Sequence, residues 1–163
     1  MQTDLFDLID KEIEHLIEMI SQFEKISYTQ VCNESGASIG QHIRHAIEIF
    51  SLLVTQYDDG NINYELRSRD VRIEQDQQTA ILLLRNIKAN YKKADRSLKL
   101  HASGTMINTS YSRELLYQLE HIIHHNAIIK PMILKHSNTS LDDNFGYAHS
   151  TLKYKEETVK IES

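Results

Sequence analysis

The chain has 163 residues, 40% hydrophobic and 25% charged, which suits one globular domain and is too short for two sizeable cores. With 18 basic and 23 acidic residues interspersed, the net charge of −5 argues against a nucleic-acid-binding surface. No apolar run approaches the roughly 20 residues that span a bilayer, the start Met1-Gln2-Thr3-Asp4-Leu5 has no signal-peptide pattern, and a single cysteine, Cys32, excludes an internal disulfide framework and fits a reducing cytoplasm.

One proline and five glycines supply few turns, so long helices with few connections are expected. Leu5, Leu8, Ile9, Ile13, Leu16, Ile17, Ile20 and Phe23 recur at three- and four-residue spacing and predict a first helix over about 3–25. Ser38 caps a second over about 38–57, along which Ser38, His42, His45, Ile49 and Leu52 form one seam. Asp58-Asp59-Gly60-Asn61 ends that helix, and residues 61–74, polar and aperiodic, read as a long crossover. Ala80, Leu84, Ile87, Tyr91 and Ala94 predict a third helix over about 75–96. Leu98, Leu100, Met106 and Ile107 around Gly104 suggest a short hairpin over 97–109. Ser110 or Ser112 caps a fourth helix to about 136, with Pro131 expected to kink it. The tail from Ser137 is polar apart from Phe145, Tyr147, Leu152 and Tyr154, so part of it should pack back. The expected fold is an all-α four-helix bundle in one domain, 1–163, with its core over about 3–136.

The chemistry concentrates in five of the nine histidines. His121, His124 and His125 crowd the apolar stretch Leu119–Ile129, and residues four apart share a helix face, so His121 and His125 aim at one point. The fourth helix carries two seams, one of Leu115, Leu119, Ile122, Ile129 and Ile133, the other of Tyr117, His121, His125, Ile128 and Met132. Apolar residues on both sides imply a largely buried helix, where an imidazole needs partners for its nitrogens. A metal ion satisfies one nitrogen of each ring and selects the neutral form. The third ligand would come from the second helix; the helical wheel leaves His42 and His45 both open. The pattern lacks the Glu that marks a zinc-protease helix.

The run Ser38-Ile39-Gly40-Gln41-His42-Ile43-Arg44-His45-Ala46-Ile47-Glu48, followed by Arg113-Glu114-Leu115 and His121-Ile122-Ile123-His124-His125, resembles the DinB/YfiT-like superfamily. Tyr64-Glu65-Leu66-Arg67-Ser68-Arg69-Asp70 and the tail Phe145-Gly146-Tyr147-Ala148-His149-Ser150-Thr151-Leu152 are similar to a bacterial branch of it, although its tail carries a proline where His149 stands. The resemblance implies a four-helix bundle with a divalent ion on three histidines. It assigns these as His45, His121 and His125, because Glu48 trails His45 as an acidic residue trails the family's ligand; His42 is the alternative or a supporting group.

Three neutral imidazoles leave open positions on an ion, which favours substrate binding or catalysis over a closed structural site. Zinc or nickel is expected first, with iron, cobalt and manganese as alternatives. The expected activity is that of a metal-dependent enzyme activating a thiol or water for S-transfer or hydrolysis. The alternative is a non-catalytic metal or small-ligand binder of the same fold, stress-linked. Tyr117 and His124 are the catalytic candidates beside the ligands. Arg113 and Glu114 read as a structural pair at a helix start, and Arg67, Arg69 and Arg72 as a solvated loop or an anion-binding group. The expected partner is a small molecule, a low-molecular-weight thiol among the candidates, rather than nucleic acid or membrane; a homodimer is left open.

Overall fold

The computed structural model describes residues 2–33 and 35–162; Met1, Glu34 and Ser163, which the single-domain reading includes, lie outside the described residues. The chain is mostly helical: α1 Gln2–Ser21, α2 Lys25–Thr29, α3 Ile39–Thr55, α4 Val71–Gln75, α5 Gln77–Asn90, α6 Tyr111–His136 and α7 His149–Glu162. Three strands, β1 Asn61–Asn63, β2 Ser97–Ala102 and β3 Thr105–Ser110, form one small sheet.

α3 begins at a full capping box. The Ser38 hydroxyl accepts from the Gln41 backbone N–H, and the Gln41 side chain accepts from the Ser38 N–H. α6 begins at Ser110, whose side chain accepts from the Arg113 N–H, and continues through Pro131 to His136. α3 packs on α5 and α6, and α1 packs on α5 and α6, so each of these four helices meets two of the others. Their contact faces are apolar and buried: Ile9, Ile13, Leu16 and Ile20; Ile43, Ile47 and Phe50; Ala80, Leu84 and Ile87; Leu115, Leu119, Ile122, Ile129 and Ile133. Each fully buried Leu, Ile or Phe contributes about 1.5–3 kcal/mol, so this packing sets the helix positions. Among the described residues no helix is long and apolar enough to cross a membrane.

The all-α expectation is corrected by the sheet. The hairpin stands where the sequence suggests it, its turn made by Ser103 and Gly104, both at positive φ (48° and 79°), the combination that matches strand twist in a two-residue turn. The third strand lies in the crossover: β1 pairs in parallel with β2, Ile62 opposite Leu100, with Ile62 fully buried. After it come a 3-10 turn, Tyr64–Leu66, and the short α4. These pieces are held by local side chains, Asn63 capping Glu65 N–H, Asp70 capping Arg72 N–H and Asp76 capping Gln78 and Thr79 N–H, rather than by hydrophobic periodicity.

Two helix boundaries also move. α1 stops at Ser21, where the Gln77 amide donates to the carbonyls of Ile20 and Phe23, and α2 follows as a separate turn. α5 stops at Asn90, so Ala94 is not helical: the Tyr111 hydroxyl donates to the Tyr91 carbonyl and the Tyr57 hydroxyl to that of Ala94, tying residues 91–96 to the start of α6 and the end of α3. In the tail Phe145 is buried, Leu152 half-buried, and Tyr147 and Tyr154 exposed.

Candidate metal centre

α3 and α6 face each other, and their polar stripes meet where the apolar core gives way to histidine. His45 on α3 and His121 and His125 on α6 each offer a ring nitrogen, and these three atoms lie within 4.8 Å of one another. Nε2 of His121 and Nε2 of His125 are 3.1 Å apart. The His45 ring stands 4.9 Å from each of the other two between centroids. Sequence spacing explains the α6 pair, since residues four apart stack on one face. The third member is set by helix packing: His45, half-buried, faces both α6 rings, whereas His42 reaches only the far side of His125.

His42 Nδ1 lies 3.1 Å from Nδ1 of His125. That contact fixes the His125 ring, because a hydrogen bond at one imidazole nitrogen decides what the other can do. His124 is exposed with its ring 5.4 Å from His125, outside the group. Tyr117 stacks on His121 with rings 14° from parallel and 5.5 Å apart. Tyr117 also lines a cavity of about 350 Å³ together with Tyr64, His101 and Arg113.

The surroundings hold these imidazoles uncharged. Burial pushes the His45 pKa down to about 4, with the Arg67 guanidinium adding to the effect. Burial also takes His121 down to about 4, helped by His45, and His125 down to about 3, helped by His121. His42 is lowered by burial and by His124. All are neutral at pH 7 and carry a lone pair, the form a metal requires. Nδ1 of His121 and Nε2 of His42 are buried with no hydrogen-bond partner among the described residues.

The donor set fits a divalent ion. Two nitrogens each ~2.0–2.1 Å from one tetrahedral ion sit about 3.3 Å apart, so the 3.1 Å between His121 and His125 already has the right spacing. His45, within 4.8 Å of both, has to close in to complete the triangle. No other histidine, cysteine or carboxylate joins this group among the described residues.

Two loop and helix residues frame the site in ways the sequence does not announce. Arg67, in the crossover, donates through Nη1 to Nδ1 of His45. Glu48, one turn beyond His45 and 6% exposed, accepts from the Ser68 hydroxyl at 3.1 Å and the Asp70 N–H at 2.7 Å, pinning the loop on both sides of Arg69. The spacing of Glu48 from His45 was a usable signal; nothing in the sequence points to Arg67 over its neighbours. Arg69 is exposed and Arg72 pairs with Asp70, so the three arginines do not act together. Nor do Arg113 and Glu114 form a pair. The buried Glu114 carboxylate accepts from the Tyr64 and Thr109 hydroxyls, both at 2.7 Å, and the Gln118 amide donates to the Tyr64 oxygen at 3.1 Å. Arg113 is exposed. Cys32 is buried away from these groups at 4% exposure, which fits an unreactive thiol.

No family model, curated protein or solved structure matches this chain. Its function is therefore argued from the site itself.

Proposed function

We propose that α1, α3, α5 and α6 form a four-helix bundle of the DinB/YfiT-like type, and that His45, His121 and His125 hold a divalent ion serving a metal-dependent enzyme. The observation that carries this reading is the convergence of three neutral imidazoles from two helices on one point. The cyclic packing of α1, α5, α3 and α6 supports the bundle, since such folds build ion sites from facing helices. Zinc and nickel suit a three-nitrogen donor set, with iron, cobalt and manganese as alternatives.

A divalent ion there would act as a Lewis acid, lowering the pKa of a thiol or water and so favouring S-transfer or hydrolysis. The chain's own residues do the positioning. His42 holds the His125 ring through Nδ1. Tyr117 stacks on His121 and also lines the 350 Å³ cavity, which is large enough for a small-molecule substrate. Its hydroxyl, raised by burial and by Glu114, stays protonated at pH 7 and serves as a donor to a bound substrate. His124, exposed and outside the group, is at most a proton carrier at the rim.

A non-catalytic metal binder is the second reading, favoured by the Arg67 contact, which gives His45 a partner without any ion. The deciding experiment pairs elemental analysis with a screen of thiol consumption and hydrolysis. On the enzyme reading His125→Ala loses metal and turnover together, while Tyr117→Phe keeps metal and lowers turnover. Equal reaction of metal-free and metal-loaded protein with every substrate tried rejects the enzyme and leaves the binder.

A further inference from the structure

Arg67 stands in a position that a bound ion makes untenable. Its guanidinium donates to Nδ1 of His45, and a neutral imidazole that accepts at Nδ1 carries its proton on Nε2. While that contact stands His45 has no lone pair left for an ion, so ion binding at His45 must move the guanidinium off. The stretch just after Arg67 is anchored to α3, since Glu48 accepts from the Ser68 hydroxyl and the Asp70 N–H, so the base of the Arg67 side chain stays beside the site. Loading the site therefore leaves a +1 guanidinium close to a +2 ion, with three uncharged ligands between them.

The Glu48 carboxylate opposes this charge at His45 but forms no ion pair with Arg67. Among the described residues no carboxylate lies within ion-pair distance of Arg67. Glu48 is committed to the loop and Asp70 to Arg72. Arg67 is half-buried, so water screens it only in part, and its charge is felt at His45, His121 and Tyr117. It also lines a cavity of about 310 Å³ that runs along α3 past Leu52. None of the three histidines lines that cavity; an anion placed instead between the guanidinium and the ion would be attracted by both cations at once.

We propose that Arg67 is an anion-recognition residue of the metal centre, and that the site takes a small molecule whose oxyanion group, a carboxylate or a phosphate, lies between the ion and the guanidinium. This inference rests on the metal reading above. The planar fork of Arg matches both groups, binding them through paired N–H donors. Because binding of ion and anion is reciprocal, the anion must tighten metal binding as much as metal tightens anion binding.

The test titrates metal-free protein with Co²⁺, followed by visible absorption, alone and with saturating acetate or inorganic phosphate. In the wild type the apparent Kd for Co²⁺ falls on the order of tenfold with the matching probe, and in Arg67→Ala by less than about twofold. Without a probe, Arg67→Ala binds Co²⁺ more tightly than wild type, because the competing cation is gone. Arg67→Gln, which keeps a donor for His45 but no charge, behaves like Arg67→Ala and stands in for it if the alanine variant does not fold. The stronger of the acetate and phosphate responses identifies the anion class. Absence of Co²⁺ binding to wild type overturns the metal centre and this inference together. Co²⁺ binding that no probe strengthens, or that probes strengthen equally in both variants, overturns the inference alone.

Discussion

Gly40 is where α3, the helix that carries His42 and His45, meets α4. A Cβ added there would lie 2.2 Å from the Glu74 carbonyl oxygen and 2.9 Å from a ring carbon of Tyr28. The backbones would have to part by more than 1 Å to recover the 3.4 Å of ordinary contact. Neither neighbour yields easily: Glu74 is met by its backbone, with its carboxylate paired to Arg44 of α3, and Tyr28 is fully buried with its hydroxyl on the Ile73 carbonyl at 2.8 Å. Overpacking of this kind costs about 1–3 kcal/mol, and the rigidity of both neighbours places Gly40→Ala near the upper end. Alanine's better helix propensity returns about 1 kcal/mol, so the net loss is about 2 kcal/mol. Urea unfolding of the metal-free variant reads this directly as a lower midpoint at unchanged slope. A displaced α3 also carries His45 away from α6, so Co²⁺ affinity falls with stability. A variant as stable as wild type, or stabilised by the 1 kcal/mol that propensity alone gives, refutes the close-packed α3–α4 junction.

Three further outcomes follow from the site. Metal at a hundredfold excess over its Kd stabilises the fold by about 2.7 kcal/mol, since the ligands join two helices distant in sequence; chelation removes this gain, seen as a drop in Tm, and an unchanged Tm in protein shown to have carried metal counts against it. In the metal-free protein His45, His121 and His125 have folded pKa values of about 4, 4 and 3 against an ordinary 6.5, so the unfolded chain takes up protons first. Their neutral state is fully compatible with folding above pH 6.5, and stability falls as pH drops from there towards 4; urea midpoints across that range should fall less steeply in a His121→Ala/His125→Ala variant. Tyr64→Phe removes the hydroxyl that serves both Glu114 and Gln118, leaving two buried groups short of a partner, and should cost about 1.5–3 kcal/mol by urea unfolding, whereas a change under about 0.5 kcal/mol would mean water replaces it.

α3 and α6 were legible in the sequence because each combines a cap with a long amphipathic run. Ser38 with Gln41, and Ser110 with the Leu115–Ile133 seam, mark their starts and buried faces without knowledge of the rest. The pairing of His121 with His125 follows from helix geometry alone. The choice of His45 over His42 does not, since both are half-buried on α3 and only the way α3 lies across α6 separates them. β1, the 3-10 turn and α4 escaped because pieces of three to five residues have no period to detect. Their signals were the capping side chains Asn63, Asp70 and Asp76, which read as generic loop polarity until the elements are known. The Glu114 network was hidden for a similar reason: its partners Tyr64 and Thr109 come from the crossover and the hairpin, elements that contact patterns rather than composition bring to α6.

The placement of Glu48 bears on the chemistry such a centre would supply. A buried carboxylate one turn from His45 is a natural fourth ligand, and a Glu in that role would cancel half the charge of a divalent ion and close an open position. Here Oε1 accepts from the Ser68 hydroxyl and the Asp70 N–H, Oε2 is buried with no hydrogen-bond partner among the described residues, and the carboxylate stands outside the histidine group. The supporting contact on His125 comes from His42 rather than from a carboxylate, so it too adds no negative charge. A site of three imidazoles with no carboxylate among its ligands would leave most of the charge of a bound ion for whatever occupied the open position. That strengthens its effect on the pKa of a bound acid. Glu48 acts instead on the loop, and through the loop on Arg67. The same carboxylate that would have weakened the centre as a ligand thereby helps place Arg67 beside it.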